Sequence, residues 1–287
     1  MNDVAALRAE HLTKRYRAGR APALDSIDLS IAAGSVVAFV GPNGAGKSTL
    51  IRSFLGFERP TTGRALVTEI DPQRDRVAAL ARIGYVGQTP GLYRELTAAD
   101  HVALAASLRR DFDSYGALKR LDDLGIGRSM RAGHLSGGQQ AQVSLSLALG
   151  THAPVLLLDE PLASLDPLAR RDFLAMVRGA VQGGTTVLFA SHIVGDLEAV
   201  CDRLVVVASG RVMLESPIDE ARAGHALVPL NDAPADGVIG VFDDQAGRPQ
   251  ALVRVATPAG SPPSLDDIVL GYLAGARRRP AGDGLAA

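Results

Sequence analysis

A short apolar run that leads directly into a glycine-rich loop constrains the fold of this chain more than any other feature. The run is Val36–Val40, and its composition is typical of a strand that is buried on both faces. The loop, Gly41–Thr49, fits the phosphate-loop (Walker A) pattern G-x-x-x-x-G-K-[ST], and a helix is predicted to begin at Lys47. A strand, a glycine-rich turn and a helix in this order indicate a phosphate-binding α/β fold rather than a chance glycine-rich turn.

The residue types of this loop match the chemistry of a polyphosphate ligand. Glycines tolerate positive φ, so consecutive backbone N–H groups can form an anion-binding nest beside the positive end of the helix. Lys47 would supply a full positive charge to the β- and γ-phosphates, and the Ser48 hydroxyl would coordinate Mg²⁺. The predicted phosphate-binding residues are Gly41, Pro42, Asn43, Gly44, Ala45, Gly46, Lys47, Ser48 and Thr49.

Up to about Glu215 the chain alternates short apolar runs with longer mixed segments, which is typical of βαβ units. The further strand candidates are Ile83–Gly87, Val155–Leu158, Thr186–Ala190 and Leu204–Val207. Helices are predicted to begin at Lys47, near Thr97, at Gly137, at Pro167 and near Ile193. Between Gln88 and Leu135 the strand signals disappear, which predicts a helical insertion at about 89–134.

After Glu215 prolines and glycines recur, and short alternating runs replace the long helical pattern. Val238–Phe242 and Ala251–Val255 are strand candidates, and Ser264–Leu273 is a candidate for a last helix with Ser264 as its N-cap. These signals predict a small α+β appendage at 216–287. We expect its tail, 277–287, to be frayed.

Composition narrows the functional classes. The 287 residues are 47% hydrophobic, which provides a sizeable core and excludes disorder for most of the chain. Thirty basic against 31 acidic residues give no electrostatic case for a nucleic-acid partner. The single cysteine, Cys201, excludes an intramolecular disulfide and suits a reducing compartment. We also expect no signal peptide and no membrane-spanning helix.

Polar side chains follow three of the predicted strands. Asp159 and Glu160 come directly after Val155–Leu158, His192 follows the strand that ends near Ala190, and Gln88 follows Ile83–Gly87. Each alone would be an ordinary turn or capping residue. Carboxyl ends of parallel strands border the crevice in which ligands bind, so the phosphate loop favours a functional interpretation. Asp159 would hold Mg²⁺, Glu160 would polarise a water for attack on the γ-phosphate, and His192 would contact that phosphate.

A second helix start also has the features of an anion site. Ser136, Gly137, Gly138 and Gln139 combine a hydroxyl with two glycines at the beginning of a predicted helix, 159 − 136 = 23 residues before Asp159. The chain has one phosphate loop but two such helix starts. We therefore expect the second to act in trans, in a head-to-tail pair that closes over two ATP molecules.

This ordered set of motifs resembles the ATP-binding-cassette (ABC) family, and within it the nucleotide-binding subunit of a membrane transporter. The resemblance covers about residues 5–215 and implies a P-loop NTPase core with an antiparallel β subdomain and a helical insertion, so that 1–215 would form the ATPase domain. It implies that Tyr16 stacks on adenine and that Asp166 belongs to a loop joining the two sites. It also makes Gln88 the link to the membrane subunit, with contacts to Mg²⁺ and the attacking water.

Two features depart from or refine the resemblance. After the Ser136–Gln139 motif, family members usually carry arginines and a glutamine, but this chain has Ala141, Gln142 and Leu147. The sequence Pro262–Tyr272 resembles the ending of cassettes that serve drug, antibiotic and polysaccharide-type exporters. A small helix that merely closes a β appendage is an equally good interpretation of this segment.

The resemblance implies an ATPase that uses ATP and Mg²⁺, pairs with an identical or different second cassette, and drives a separate transmembrane permease. Such a subunit would lie in the cytoplasm, on the inner face of the cell membrane, and the C-terminal segment suggests export. Two alternatives stay open at this point. One is a soluble cassette in translation or DNA repair, and the other is a regulatory subunit that binds ATP without turnover.

Overall fold

The computed structural model describes residues 5–163, 165–234, 236–244, 246–255 and 262–278, which form three sheets and eight α-helices. The strands are β1 (Ala5–Lys14), β2 (Leu24–Ala32), β3 (Val36–Val40), β4 (Thr62–Val67), β5 (Ile83–Val86), β6 (Val155–Asp159), β7 (Thr186–Ser191), β8 (Arg203–Ala208), β9 (Arg211–Pro217), β10 (His225–Pro229), β11 (Val238–Asp243) and β12 (Pro249–Arg254). The α-helices are α1 (Lys47–Phe54), α2 (Arg76–Leu80), α3 (Ala98–Leu108), α4 (Ser114–Asp123), α5 (Gly137–Leu149), α6 (Pro167–Gln182), α7 (Ile218–Ala223) and α8 (Leu265–Arg278).

The central sheet has six strands in the order β5-β6-β7-β3-β8-β9. All pairs are parallel except β8–β9, in which β9 forms an antiparallel edge. Every residue of β3 and β6 is buried, as the continuous apolar runs predict. The five predicted strands of this sheet are confirmed to within one residue at each end, whereas the half-exposed β9 was not predicted.

The two faces of the central sheet are covered by different layers. Val37 and Phe39 of β3 belong to a buried cluster with Leu7 and Phe54, beneath the antiparallel sheet β2-β1-β4 and helix α1. The alternate residue Ala38 faces the opposite cluster, which α5, α6 and α8 help to build. Side chains of a strand alternate between faces, so one short strand anchors both layers. The fold is the predicted α/β core with an antiparallel β layer.

The segment predicted as a helical insertion contains α3 and α4. Val102 of α3 and Leu121 of α4 share a separate buried cluster with Val143 of α5, so these helices pack on α5. No α-helix that the structure describes is long and apolar enough to span a bilayer.

The C-terminal segment forms a third sheet, β10-β12-β11, together with α7 and α8. The predicted strands in this segment are confirmed, and the predicted last helix begins one residue later and continues to Arg278. Arg277 and Arg278 are therefore helical, and the rest of the tail predicted as frayed, 279–287, lies outside the described residues. Leu252 and Ile268 belong to the same buried cluster as the central sheet, so this segment packs directly on it.

The helix predicted near Ile193 is wrong, because the chain forms turns from Gly195 to Val200. The Ser191 hydroxyl accepts a hydrogen bond from the Ile193 N–H (3.0 Å) and donates one to the Ile193 carbonyl (2.9 Å). Such local side-chain bonds offer the backbone an alternative to a helix. Ion pairs from Asp196 and Glu198 to other elements then hold the turns in place.

Glycine packing between β11 and α8 gives a stability prediction. A methyl group on Gly275 of α8 would lie 2.1 Å from the Ile239 carbonyl oxygen, whereas one on Gly179 of α6 would meet no atom within 4 Å. Gly275→Ala should therefore destabilise the chain by about 1–3 kcal/mol through forced separation of α8 from the sheet. Gly179→Ala should stabilise it by about 0.5–1 kcal/mol through helix propensity.

Thermal and denaturant unfolding of both variants, followed by circular dichroism, provides the measurement. Equal midpoints for Gly275→Ala and Gly179→Ala would contradict the close docking of α8.

Candidate functional site

The phosphate loop connects β3 to α1 at the carboxyl end of the central sheet. Gly44 (φ 83°) and Gly46 (φ 107°) adopt left-handed conformations that glycine accepts without a steric penalty. A methyl group on Gly41 would lie 2.2 Å from the Val207 carbonyl oxygen, so the loop passes directly against β8. These contacts explain the glycines of the motif. As in any α-helix, the first N–H groups of α1 have no partners inside that helix.

Lys47 is the first residue of α1 and is buried. Its Nζ donates to the carbonyl oxygens of Gly41 (2.7 Å) and Pro42 (3.3 Å) and lies 3.0 Å from Glu160 Oε1. The ammonium group is thus fixed inside the loop by the loop's own carbonyls. Its charge faces the site rather than bulk water.

Ser48 and Asp159 bring two oxygen donors together. The Ser48 hydroxyl donates to Asp159 Oδ1 at 3.0 Å, which joins the first turn of α1 to the end of β6. Burial raises the pKa of the Asp159 carboxyl, and the neighbouring Glu160 adds to this effect, while the Ser48 hydrogen bond opposes it. A hydroxyl and a carboxylate are oxygen ligands of the kind that Mg²⁺ prefers.

Glu160 and His192 meet at the ends of neighbouring strands. Glu160 Oε2 lies 2.7 Å from His192 Nδ1, and the Glu160 side chain is 6% exposed against 42% for His192. Glu160 has φ 51°, a conformation that is unusual for a non-glycine residue and is found where the surrounding structure enforces it. Within the described part of the chain, Glu160 Oε1 makes no well-aligned hydrogen bond. This oxygen lies 3.0 Å from Lys47 Nζ, so the Glu160 carboxylate is held between the Lys47 ammonium group and the His192 ring.

Lys47, Ser48 and Glu160 border a cavity of about 290 Å³, whereas His192 is not among the residues that line it. The predicted site residues that line it are Tyr16, Asn43, Gly44, Gly46, Lys47, Ser48, Thr49, Gln88 and Glu160. The Tyr16 ring is exposed, and its hydroxyl lies 3.4 Å from Thr49 Oγ1. Asp159 lines an adjoining cavity that also includes Ser48 and Gln88. The structure thus gathers residues that are up to 144 positions apart in sequence (160 − 16).

The remaining predicted residues lie elsewhere. Ser136 is the N-cap of α5, where its hydroxyl and the Gln139 side chain form a reciprocal capping box, and Gly137 and Gly138 form the first turn. Asp166 caps α6 by accepting hydrogen bonds from the Leu168 and Ala169 N–H groups. None of these residues is among those that line the 290 Å³ cavity of the same chain.

One lining residue was missed by sequence reasoning. Ala23 precedes β2 and borders the cavity, and its carbonyl oxygen would lie 2.3 Å from a methyl group on Gly46. Its contribution is made by the backbone, so no side-chain pattern could have indicated it. Only the contact between the antiparallel layer and the phosphate loop places the Ala23 backbone at the cavity.

Comparison with known proteins agrees with this geometry. The family model for the ABC transporter matches residues 24–163. The daunorubicin resistance ATP-binding protein DrrA3 of Streptomyces coeruleorubidus is 37% identical over 224 residues, which cover 76% of this chain and 70% of DrrA3. The methionine import ATP-binding protein MetN 2 of Rhodococcus jostii is 35% identical over 72% of this chain and 64% of its own length.

Solved structures show the same architecture. The dimeric, post-hydrolysis ATP-binding cassette MJ0796, bound to ADP and Pi, superposes with a TM-score of 0.67 at 26% identity, over 74% of this chain and 98% of that one. The chain has a phosphate loop, two carboxylates at strand ends and the fold of these cassettes, and its relatives are ATP-binding subunits. The chain therefore belongs to the ABC transporter family, as an ATP-binding subunit with ATPase activity that energises transport.

Proposed function

We propose that this subunit hydrolyses ATP at the Lys47–Glu160–His192 site, in a head-to-tail pair of cassettes, to drive export through a separate membrane permease. The observation that carries the proposal is the buried Glu160 carboxylate. One of its oxygens contacts His192, and the other faces Lys47 at the edge of the phosphate-loop cavity. A carboxylate held in this way is suited to polarise a water beside a bound γ-phosphate.

Each part of the site has a separate task in this proposal. The N–H groups of the loop and Lys47 bind the β- and γ-phosphates, and the exposed Tyr16 ring stacks on adenine. Glu160 accepts a proton from the attacking water, and His192 holds the γ-phosphate and orients Glu160 through the 2.7 Å contact. Catalysis then depends on positioning and on electrostatic stabilisation of the transferred phosphoryl group.

Ser48, Asp159 and Gln88 are the residues that would hold Mg²⁺. The 3.0 Å contact between Ser48 and Asp159 places two oxygen donors at one point, and Gln88 lines both adjoining cavities. When bound, the ion would neutralise charge on the phosphate oxygens. The raised pKa of Asp159 is consistent with a carboxylate that gains from a nearby cation.

The pairing of two cassettes is supported by the position of the α5 N-terminus. Ser136 and Gly137 are exposed at the start of this helix, away from the cavity of their own chain. In a head-to-tail pair, this positive helix end would complete the phosphate site of the other cassette, with Asp166 beside it. The partner is a second copy or a related cassette. The dimeric MJ0796 structure supports the pairing of two cassettes.

The docking of a permease and the direction of transport concern the helical segment and the C-terminal segment. A permease segment would dock on the helical segment 89–134, with Gln88 linking it to the nucleotide, and would hold the subunit at the inner face of the membrane. The similarity to a drug-resistance protein favours export, while the similarity to an import protein shows that the core alone does not set direction. The C-terminal segment, whose sequence resembles exporter endings, adds to the case for export.

The first prediction concerns the general base. Glu160→Gln keeps the size of the side chain but removes its basicity, so ATP turnover should fall by at least about 100-fold while ATP binding persists. Phosphate release and fluorescent-nucleotide titration measure the two quantities. The matched control is Glu220→Gln, which alters an exposed glutamate in the first turn of α7.

Equal turnover in the native chain and Glu160→Gln would leave the alternative of a regulatory subunit that binds ATP without hydrolysis. A reduced rate in Glu220→Gln would point to a general charge effect.

The second prediction concerns the pair. ATP-loaded Glu160→Gln should form dimers, and adding Ser136→Glu should prevent them, because a carboxylate at the α5 N-terminus would face the triphosphate of the other chain. Light scattering with and without ATP measures the mass. Ser107→Glu, on the exposed face of α3, is the control for an added charge and should leave dimers intact.

Undiminished dimerisation of the Ser136→Glu double variant would exclude the trans site. Co-purification of a permease from detergent-solubilised membranes separately tests coupling to transport against a soluble cassette.

A further inference from the structure

Tyr16 lies on a loop that contains no helix and no strand. The loop, residues 15–23, connects β1 to β2, and the Ala23 N–H closes it by donating to the Lys14 carbonyl oxygen at 2.8 Å. We call residues 15–23 the β1–β2 loop. A side chain on such a loop keeps one orientation only where other groups anchor it. The partners of Tyr16 therefore determine how its ring is placed before a nucleotide binds.

One partner of the ring is the side chain of Lys14, the last residue of β1. The Lys14 Nζ lies over the Tyr16 ring, 5.0 Å from the ring centroid, which is the geometry of a cation–π interaction. Lys14 thus covers one face of the ring. Tyr16 is nevertheless 56% exposed and lines the phosphate-loop cavity. A base that stacks on Tyr16 must therefore use the face opposite Lys14.

Two acceptors fix the Lys14 ammonium group. It pairs with Glu58 Oε2 at 2.9 Å and donates to the Arg59 carbonyl oxygen at 2.8 Å. An ammonium group has three N–H donors, so two acceptors and the ring face account for its bonding capacity. The side chains of Lys14 and Glu58 are only 15% and 19% exposed, so solvent screens this ion pair less than a surface pair. Lys14 is therefore a firm support for the ring.

The same contacts connect the ring to α1, which carries the end of the phosphate loop. The Glu58 N–H donates to the carbonyl oxygen of Arg52 in α1 at 3.1 Å. The Tyr16 hydroxyl lies 3.4 Å from Thr49 Oγ1 of the same helix. Lys14 thus holds the ring at a defined place relative to the groups that would bind the phosphates.

We infer that Lys14 is a positioning residue for nucleotide binding, which holds the Tyr16 ring in place for stacking on adenine through its charge and its pairing with Glu58. Lys14 is not among the residues that line the phosphate-loop cavity, so its effect passes through Tyr16. A ring that is ordered before binding loses less conformational freedom when a base stacks on it, which favours affinity. This inference rests on the proposed role of Tyr16.

The test removes the cation and its counter-charge together, because Lys14→Met alone would leave a shielded Glu58 carboxylate without its partner. In Lys14→Met with Glu58→Gln, the Kd for ATP should rise roughly fivefold, since the cation–π contact and the ordered ring are lost. The Kd for inorganic tripolyphosphate, which has no base, should stay native. Isothermal titration calorimetry measures both constants. The kcat at saturating ATP should also stay native, because stacking stabilises the ground state and the transition state equally.

Two further variants serve as controls. Lys14→Arg keeps a cation that can lie over the ring and pair with Glu58, so it should retain most of the native affinity for ATP. Asp244→Asn with Arg248→Met removes an acidic–basic pair, joined at 2.8 Å in the turn between β11 and β12, and should match the native chain.

A double-mutant cycle with Tyr16→Ala identifies the route of the effect. Removing the pair of Lys14 and Glu58 should weaken ATP binding in the native chain but not in the Tyr16→Ala chain. Native ATP affinity without the pair, an equal loss in both backgrounds, or equal losses for ATP and tripolyphosphate would overturn the inference. Native ATP affinity in Tyr16→Ala would instead refute the proposed role of Tyr16.

Thermal unfolding shows whether the chain without the pair still folds. If it does not, Lys14→Gln carries the test, because its amide can donate to Glu58 and Arg59 but places no charge over the ring. ATP affinity should again fall while tripolyphosphate affinity stays native. A folded Lys14→Gln chain that binds ATP as tightly as the native chain would overturn the inference.

Discussion

The parallel pairing of β6, β7 and β3 is the constraint on which the site depends. The registers Asp159 with Ala190 and Val40 with Ser191 bring three strand ends to one edge of the sheet. The residues that leave these strands are Glu160, His192 and the phosphate loop, so contacts of about 3 Å between distant parts of the chain follow from strand register. A shift of one residue in any of these pairs would turn the site residues toward the opposite face.

The sequence alone predicts those parts of the molecule whose physical cause is local. Continuous apolar runs identify the buried strands, and the phosphate loop carries its own glycines, lysine and hydroxyl. The helix predicted near Ile193 is wrong because the Ser191 hydroxyl binds the Ile193 backbone and because Asp196 and Glu198 form ion pairs with other elements. These ion pairs come from the tertiary fold. The strained φ of Glu160 and the backbone contribution of Ala23 have no sequence signal for the same reason.

The structure also explains how α5 accommodates the residues that replace the arginines usual in the family. Ala141 and Gln142 are buried, and the Gln142 carbonyl accepts a hydrogen bond from the Ser146 hydroxyl at 2.8 Å. Leu147 packs against the cluster of the helical segment. Neutral side chains at these positions avoid the cost of burying a charge, so the helix keeps its place without the usual arginines. The cap at Ser136, which forms the proposed trans site, is intact.

The electrostatics of the site show why it is better adapted to a ligand than to stability. Asp159 and Glu160 are adjacent buried carboxyls, and the folded-state pKa of Asp159 lies above its ordinary value. Such a group favours folding while it is protonated, and this contribution is lost as pH rises through the raised pKa, so at neutral pH its ionised form opposes the fold. Lys47 offsets part of the negative charge through Glu160. A cation bound only by the folded chain would offset more, so ligand binding and stability are linked at the same residues.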